Sequence, residues 1–169
     1  AGISANTGGG YSVANEKSFD RRSGAFFVAA IYRCPGRLRY DRSFAVNELA
    51  GRFAVITGAS QGLGEAIATH FVDAGASVLL CARSREKLEA VTNVLRERLQ
   101  KGQMLYTRVA DVAQTENMDA LADNAFSMFP CVDILVNNAG VYGPIGPLEE
   151  NDWQEWLDAI AINLMGTVY

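Results

Sequence analysis

The stretch Phe53–Phe71, FAVITGASQGLGEAIATHF, sets three glycines between a short apolar run and a helical pattern. An apolar run of strand length, a glycine-rich turn and apolar residues three to four apart describe a buried strand reversing directly into a helix. Gly58, Gly62 and Gly64 occupy the turn, where a missing Cβ permits a tight bend and lets another molecule approach the backbone. A helix opening there presents unpaired N–H groups and the positive end of its dipole, the features that bind a pyrophosphate. A glycine trio alone is equally compatible with a turn that binds nothing, so the surrounding pattern decides.

That pattern alternates. Further strands are expected at Ser77–Ala82, Met104–Ala110 and Asp133–Val136, after a first one at Phe53–Ile56. Leu63, Ile67 and Phe71 are expected to share the face of the first helix, with Gly75 as its left-handed cap. Ser84 can cap a second helix carrying Leu88, Val91 and Leu95. Met118, Leu121, Ala122, Ala125, Phe126 and Phe129 mark an amphipathic third helix, and a last helix starts near Asp152 with Glu155 placed as in a capping box. Strands alternating with helices require crossovers, hence an α/β fold with a parallel sheet and helices on both faces.

Residues 1–48 read differently. They contain TGGG, scattered arginines and no sustained period, so an extension of uncertain structure, largely disordered, is expected. No methionine precedes Met104, which suggests an upstream extension, a fusion remnant or a fragment of a longer frame. Charge divides at the same place. Residues 1–48 carry a net of +3 and residues 49–169 a net of −7, an acidic body that argues against nucleic acid as a partner. Cys34, Cys81 and Cys131 are far apart and His70 is the sole histidine, so no metal site is expected and reduced thiols in a cytoplasmic protein are the preferred reading. The apolar run Ala25–Tyr32 is too short to span a bilayer, and Arg33 ends it too soon for an export signal after Arg21-Arg22.

The region from about Gly51 to Tyr169 resembles the short-chain dehydrogenase/reductase family. Thr57-Gly58-Ala59-Ser60-Gln61-Gly62-Leu63-Gly64 is similar to its TGxxxGxG turn, Asp111-Val112 to its adenine-contacting pair, Asn137-Asn138-Ala139-Gly140 to its NNAG signature, and Asn163 to the asparagine of its catalytic tetrad. The resemblance implies a Rossmann-type doubly wound sheet, present in residues 49–169 as its amino-terminal part and truncated after the fourth strand and following helix. It implies a cofactor held by Gly58, Ser60, Gln61, Gly62, Leu63, Gly64, Asp111, Val112, Asn138, Ala139 and Gly140. Asn163, expected buried on an apolar helix side, would help hold a proton-relaying water; a packing amide is the other reading. Asn137 is read as satisfying strand-end hydrogen bonds.

Cofactor type is read at the end of the second strand, where NAD enzymes usually place an acidic residue. Ala82 and Arg83 stand there. A guanidinium suits a 2′-phosphate, and Ser84 and Ser60 can add hydroxyls, so NADP is favoured over NAD. Gln61 weakens that case, because many NADP-using relatives carry a basic residue at its place. The serine and Tyr-x-x-x-Lys that the family uses for acid–base chemistry are not among these residues; Tyr169 stands too close to Asn163 and has no lysine after it. The expectation is therefore an oxidoreductase interconverting an alcohol and a carbonyl, present as an inactive amino-terminal fragment. Its partners would be a small carbonyl or alcohol and, at full length, further copies of itself, with neither nucleic acid nor membrane. The alternative is a non-catalytic nucleotide-binding module or redox-cofactor sensor. Tyr142, in the loop Val141–Trp156, could face a ligand, or that loop is a surface connection anchored by Trp153 and Trp156.

Overall fold

Two antiparallel strands precede an alternating series of strands and helices in the computed structural model, which describes residues 13–19, 26–32 and 48–169. The strands are β1 (Val13–Phe19), β2 (Phe26–Tyr32), β3 (Phe53–Thr57), β4 (Ser77–Ala82), β5 (Leu105–Val109) and β6 (Ile134–Asn137). The helices are α1 (Gly62–Asp73), α2 (Arg85–Arg96), α3 (Thr115–Met128) and α4 (Trp153–Ile160). From α4 the chain continues through a π turn, Ala161–Met165, into a short last turn, α5 (Gly166–Val168). One sheet holds the strands in the order β1-β2-β6-β3-β4-β5. Strands β6, β3, β4 and β5 run parallel, as expected for a doubly wound α/β fold.

Side-chain alternation along the central strands builds two cores. Ala54 and Ile56 of β3, with Val78, Leu80 and Ala82 of β4, face α1 and α2 and pack with Ala68, Val72, Leu88, Val91 and Leu95. Phe53 and Val55, with Leu79 and Cys81, face the other way and pack with Leu121, Ala125 and Phe129. Helices therefore cover both faces, and the central strands read as continuous apolar runs for that reason.

Local signals set the helix ends. Ser84 caps α2 by accepting from the Lys87 N–H at 3.3 Å. Gly75 has φ +94°, its N–H donates to the Val72 carbonyl and the Ala76 N–H to the Phe71 carbonyl, which together form a Schellman stop for α1. Asp152 caps α4 by accepting from the Gln154 N–H at 2.9 Å.

Three expectations are corrected. The fully buried face of α1 is Gly64, Ala68 and Val72; Ile67 and Phe71 are half-buried, and Leu63 is exposed, because the small residues let the helix lie close on the sheet. On α3, Ala122 and Phe126 are exposed while Leu121, Ala125 and Phe129 carry the core. Within the first forty-eight residues, β1 and β2 pair with each other, and β2 pairs antiparallel with β6, Val28 opposite Asn137 and Ile31 opposite Ile134. The run FFVAAIY is rich in strand-forming residues, and a strand edge supplies the N–H and C=O groups that it needs. The rest of the stretch expected to be disordered lies outside the described residues. No helix among the described residues is long and apolar enough to cross a membrane.

Asp133 fastens the start of β6 to the start of β3. Its carboxylate, fully buried, accepts from the Phe53 N–H at 2.9 Å and from the Arg52 guanidinium at 2.9 Å, and its own N–H donates to the Phe53 carbonyl. Asp133→Ala should cost about 3–5 kcal/mol in denaturant unfolding, since a buried charged partner leaves donors behind. Asp133→Asn, which keeps the shape and loses the charge, should cost about 1.5–3 kcal/mol. A loss below about 0.5 kcal/mol for both would show that this tie does not hold the strand starts.

Candidate functional site

The sheet order places β6 and β4 on opposite sides of β3, so the chain changes direction at the carboxyl end of β3. Open α/β sheets bind ligands in the crevice at such a switch point. A cavity of about 650 Å³ lies there, within the size range of small-molecule and cofactor sites. Every residue expected to hold the cofactor lines it, and so does Asn163: Gly58, Ser60, Gln61, Gly62, Leu63, Gly64, Arg83, Ser84, Asp111, Val112, Asn138, Ala139, Gly140 and Asn163.

The three glycines of the turn answer to three constraints. Gly58 has φ +65°, and a Cβ on it would lie 2.8 Å from the Ala139 Cα. A Cβ on Gly64 would run into the Gly58 carbonyl, so α1 can cross the turn only with glycine there. Gly62 has φ +59° and faces open space. It is also the first residue of α1, and Gln61 at the N-cap makes no side-chain capping bond. The first residues of the helix thus line the cavity with no side-chain acceptor at the cap for their N–H groups, which is what an anion requires of a helix start.

A clasp joins the turn to the end of β6. The Thr57 hydroxyl donates to the Val136 carbonyl and accepts from the N–H groups of Asn138 and Ala139, each at 3.1 Å. The Asn138 amide donates to the Thr57 and Gly58 carbonyls at 3.0 and 3.2 Å. Asn138 therefore shapes the turn, and its side-chain NH₂ is already engaged. Asn137 donates to the Thr167 carbonyl at 3.5 Å, at the strand end as expected.

Asn163 is exposed, not buried, because it sits in the π turn at the cavity mouth. Its carbonyl oxygen accepts from the Val141 N–H at 2.9 Å and its amide donates to the Val141 carbonyl at 2.7 Å, a two-point clamp on the loop after β6. Tyr142 in that loop also lines the cavity, almost fully exposed, while Trp153 is 70% exposed and anchors no core. His70 is exposed on α1, away from the cavity lining.

Charge gathers on the β4–α2 side. Arg83, largely exposed, stands 4.0 Å from the Asp111 carboxylate. Asp111 also accepts from the Ala113 N–H at 3.0 Å, closing the turn after β5. Lys87 and Cys81 also line the cavity, and the sequence alone gives neither a place in the site. Lys87 enters from the first turn of α2 and donates to the Gln61 side chain at 2.7 Å. Helical spacing marks Lys87 as a surface position, and only the fold brings it to the glycine turn. Cys81 forms part of the floor as a free thiol, and burial pushes it above its ordinary 9.0 to about 12. It is neutral near pH 7 and supplies no nucleophile.

A second, mostly apolar groove of about 660 Å³ runs between α3 and the last turns, lined by Leu121, Ala122, Phe126 and Leu135 among others. It holds no charged cluster and none of the residues expected to hold a cofactor.

The family model for short chain dehydrogenase matches residues 52–169. L-fucose dehydrogenase of Oryctolagus cuniculus is 36% identical over 118 residues, 70% of this chain and 39% of that protein. A metagenomic short-chain oxidoreductase crystallised with NADP is 38% identical with a TM-score of 0.65, over 71% of this chain and 53% of that one. The 3-ketoacyl-(acyl-carrier-protein) reductase of Brucella melitensis, crystallised with NADH, is 31% identical with a TM-score of 0.64, over 70% and 47%. The chain spans about half the length of these relatives or less.

Gly64→Ala should destabilise the fold by about 1–3 kcal/mol, the usual cost of forcing extra atoms into a packed site. An unchanged unfolding midpoint would contradict the close crossing of α1 over the turn. A raised thiol pKa contributes stability that is complete below the unfolded value of 9.0 and is lost as pH rises toward about 12. Between those limits the wild type should lose more stability than Cys81→Ala, and at pH 8 Cys81 should react with a thiol reagent only after unfolding. Rapid labelling of the native protein would contradict its burial.

Proposed function

The chain belongs to the short-chain dehydrogenase family, and from that premise we propose that its cavity binds NADP for an oxidoreductase that interconverts an alcohol and a carbonyl. One observation carries the reading: an uncapped helix start, at a turn whose Gly62 faces open space, opens on a cavity at the switch point of the sheet. The residues present fit a dinucleotide. The N–H groups of Gly62, Leu63 and Gly64 would take the pyrophosphate. Asp111 and Val112 would border the adenine, Ala139 and Gly140 the ribose, and Arg83, Ser84 and Ser60 the 2′-phosphate. Ser84 holds α2 in place at the same time. When bound, the cofactor supplies the hydride.

Asn163 is the chain's own contribution nearest the reaction. It acts by position, clamping Val141 at the mouth of the cavity. The 169 residues contain no Tyr-x-x-x-Lys to donate or take the proton, so by themselves they are proposed to bind the cofactor without turnover. Residues 49–169 are taken as the cofactor-binding unit and the first forty-eight as an extension. The substrate would be a small carbonyl or alcohol, the full-length protein a homo-oligomer, and neither nucleic acid nor a membrane a partner. A cytoplasmic location is the reading that the scattered cysteines support. A non-catalytic cofactor sensor shares the same site and differs only in lacking chemistry.

Quenching or enhancement of NADPH fluorescence on titration into the chain tests the binding. NADPH should bind about tenfold or more tightly than NADH, one charge-assisted contact being worth about that factor. A broad carbonyl panel should give no steady oxidation of NADPH. No binding of either cofactor would overturn the reading, and steady turnover would overturn the division of labour.

A further inference from the structure

Three cations surround the start of α2, Arg83, Arg85 and Lys87, where a helix dipole favours acidic groups. Arg85 is paired with Glu89 at 3.8 Å, and Arg83 stands 4.0 Å from Asp111. Lys87 differs from both. Its ammonium is exposed, lines the cavity and donates to Gln61 at 2.7 Å, and among the described residues no carboxylate pairs with it. The amide of Gln61 is neutral, so it can hold the lysine in place without cancelling its charge.

The position follows from two elements. Gln61 is the N-cap of α1, immediately before the residues whose N–H groups open on the cavity. Lys87 stands in the first turn of α2, and its backbone N–H is fixed by the Ser84 cap. The Lys87–Gln61 bond spans the gap between the two helix starts, so the ammonium sits beside the glycine turn although the turn itself carries no basic residue.

Resting on the NADP reading above, we infer that Lys87, held by Gln61, is a second specificity-determining cation for a 2′-phosphorylated adenosine. Arg83 faces the phosphate from the end of β4 and Lys87 from the side of the glycine turn. Arg83 shares its charge with Asp111, whereas Lys87 brings an uncompensated one. Two cations on a dianionic phosphate also explain how Gln61 stands in the turn without loss of preference for the phosphorylated ribose.

The test uses 2′,5′-ADP and 5′-AMP as probes, titrated calorimetrically into the chain, so that no turnover is needed. The wild type should favour 2′,5′-ADP. Lys87→Ala should lower that preference about tenfold with 5′-AMP affinity and melting temperature unchanged, since the residue is exposed. Lys87→Arg should keep most of it, and raised salt should erode it in the wild type. Gln61→Ala should give part of the loss. Equal affinity of the wild type for the two probes would overturn the NADP reading itself. A wild-type preference that survives Lys87→Ala would leave that reading standing on Arg83 and overturn the role of Lys87. A parallel fall in 5′-AMP affinity would overturn it too, by showing a merely structural part.

Discussion

The clasp between the carboxyl ends of β3 and β6 is the contact on which the rest of the site depends. Thr57 receives two N–H groups from Asn138 and Ala139, and Asn138 returns its amide to the Thr57 and Gly58 carbonyls. Those bonds hold the glycine turn against the loop after β6, and Gly58 must be glycine because the two backbones meet there. With the turn so placed, Gly64 lets α1 cross it closely, and the first residues of the helix line the cavity. At the other end of the same strand pair Asp133 makes the corresponding tie through Phe53 and Arg52. Both ends of the β3–β6 pairing are therefore fixed by side chains, and the cavity inherits its shape from that.

Much of this fold was legible because the signals were local or periodic. The four central strands, the Gly75 stop and the Ser84 cap depend on residues a few positions apart, and the structure places them at or within a residue or two of the sequence reading. The β2–β6 pairing was not legible. FFVAAIY stood out as an apolar run, but nothing in its spacing names a partner strand so far along the chain. The buried face of α1 was misread for a related reason. Hydrophobic size suggested Leu63, Ile67 and Phe71, whereas closeness to the sheet selected the small residues Gly64 and Ala68. On α3 the exposed Ala122 and Phe126 show that an apolar stripe can be wider than the core it covers.

The site divides in the same way. Motif residues could be gathered from the sequence because they sit at strand ends, and strand ends of a parallel sheet converge. What each side chain does there depended on contacts that spacing cannot show. Asn138 faces the turn's carbonyls, Asn163 clamps Val141 from an exposed π turn, and Arg83 has an acidic neighbour in Asp111. Lys87 was missed because its position in α2 reads as a solvated face, and only the approach of two helix starts brings it to Gln61.

In the proposed cofactor site, the start of α1 and the β3–β6 clasp organise binding. Backbone amide shifts in the ¹⁵N-labelled chain, followed during titration with NADPH, test it most directly. The large changes should fall on Gly62, Leu63, Gly64, Ala139 and Gly140, with smaller ones at Arg83 and Ser84. Changes concentrated instead along Leu121–Phe126 beside the apolar groove, with the amides of Gly62 to Gly64 unmoved at saturation, would contradict it.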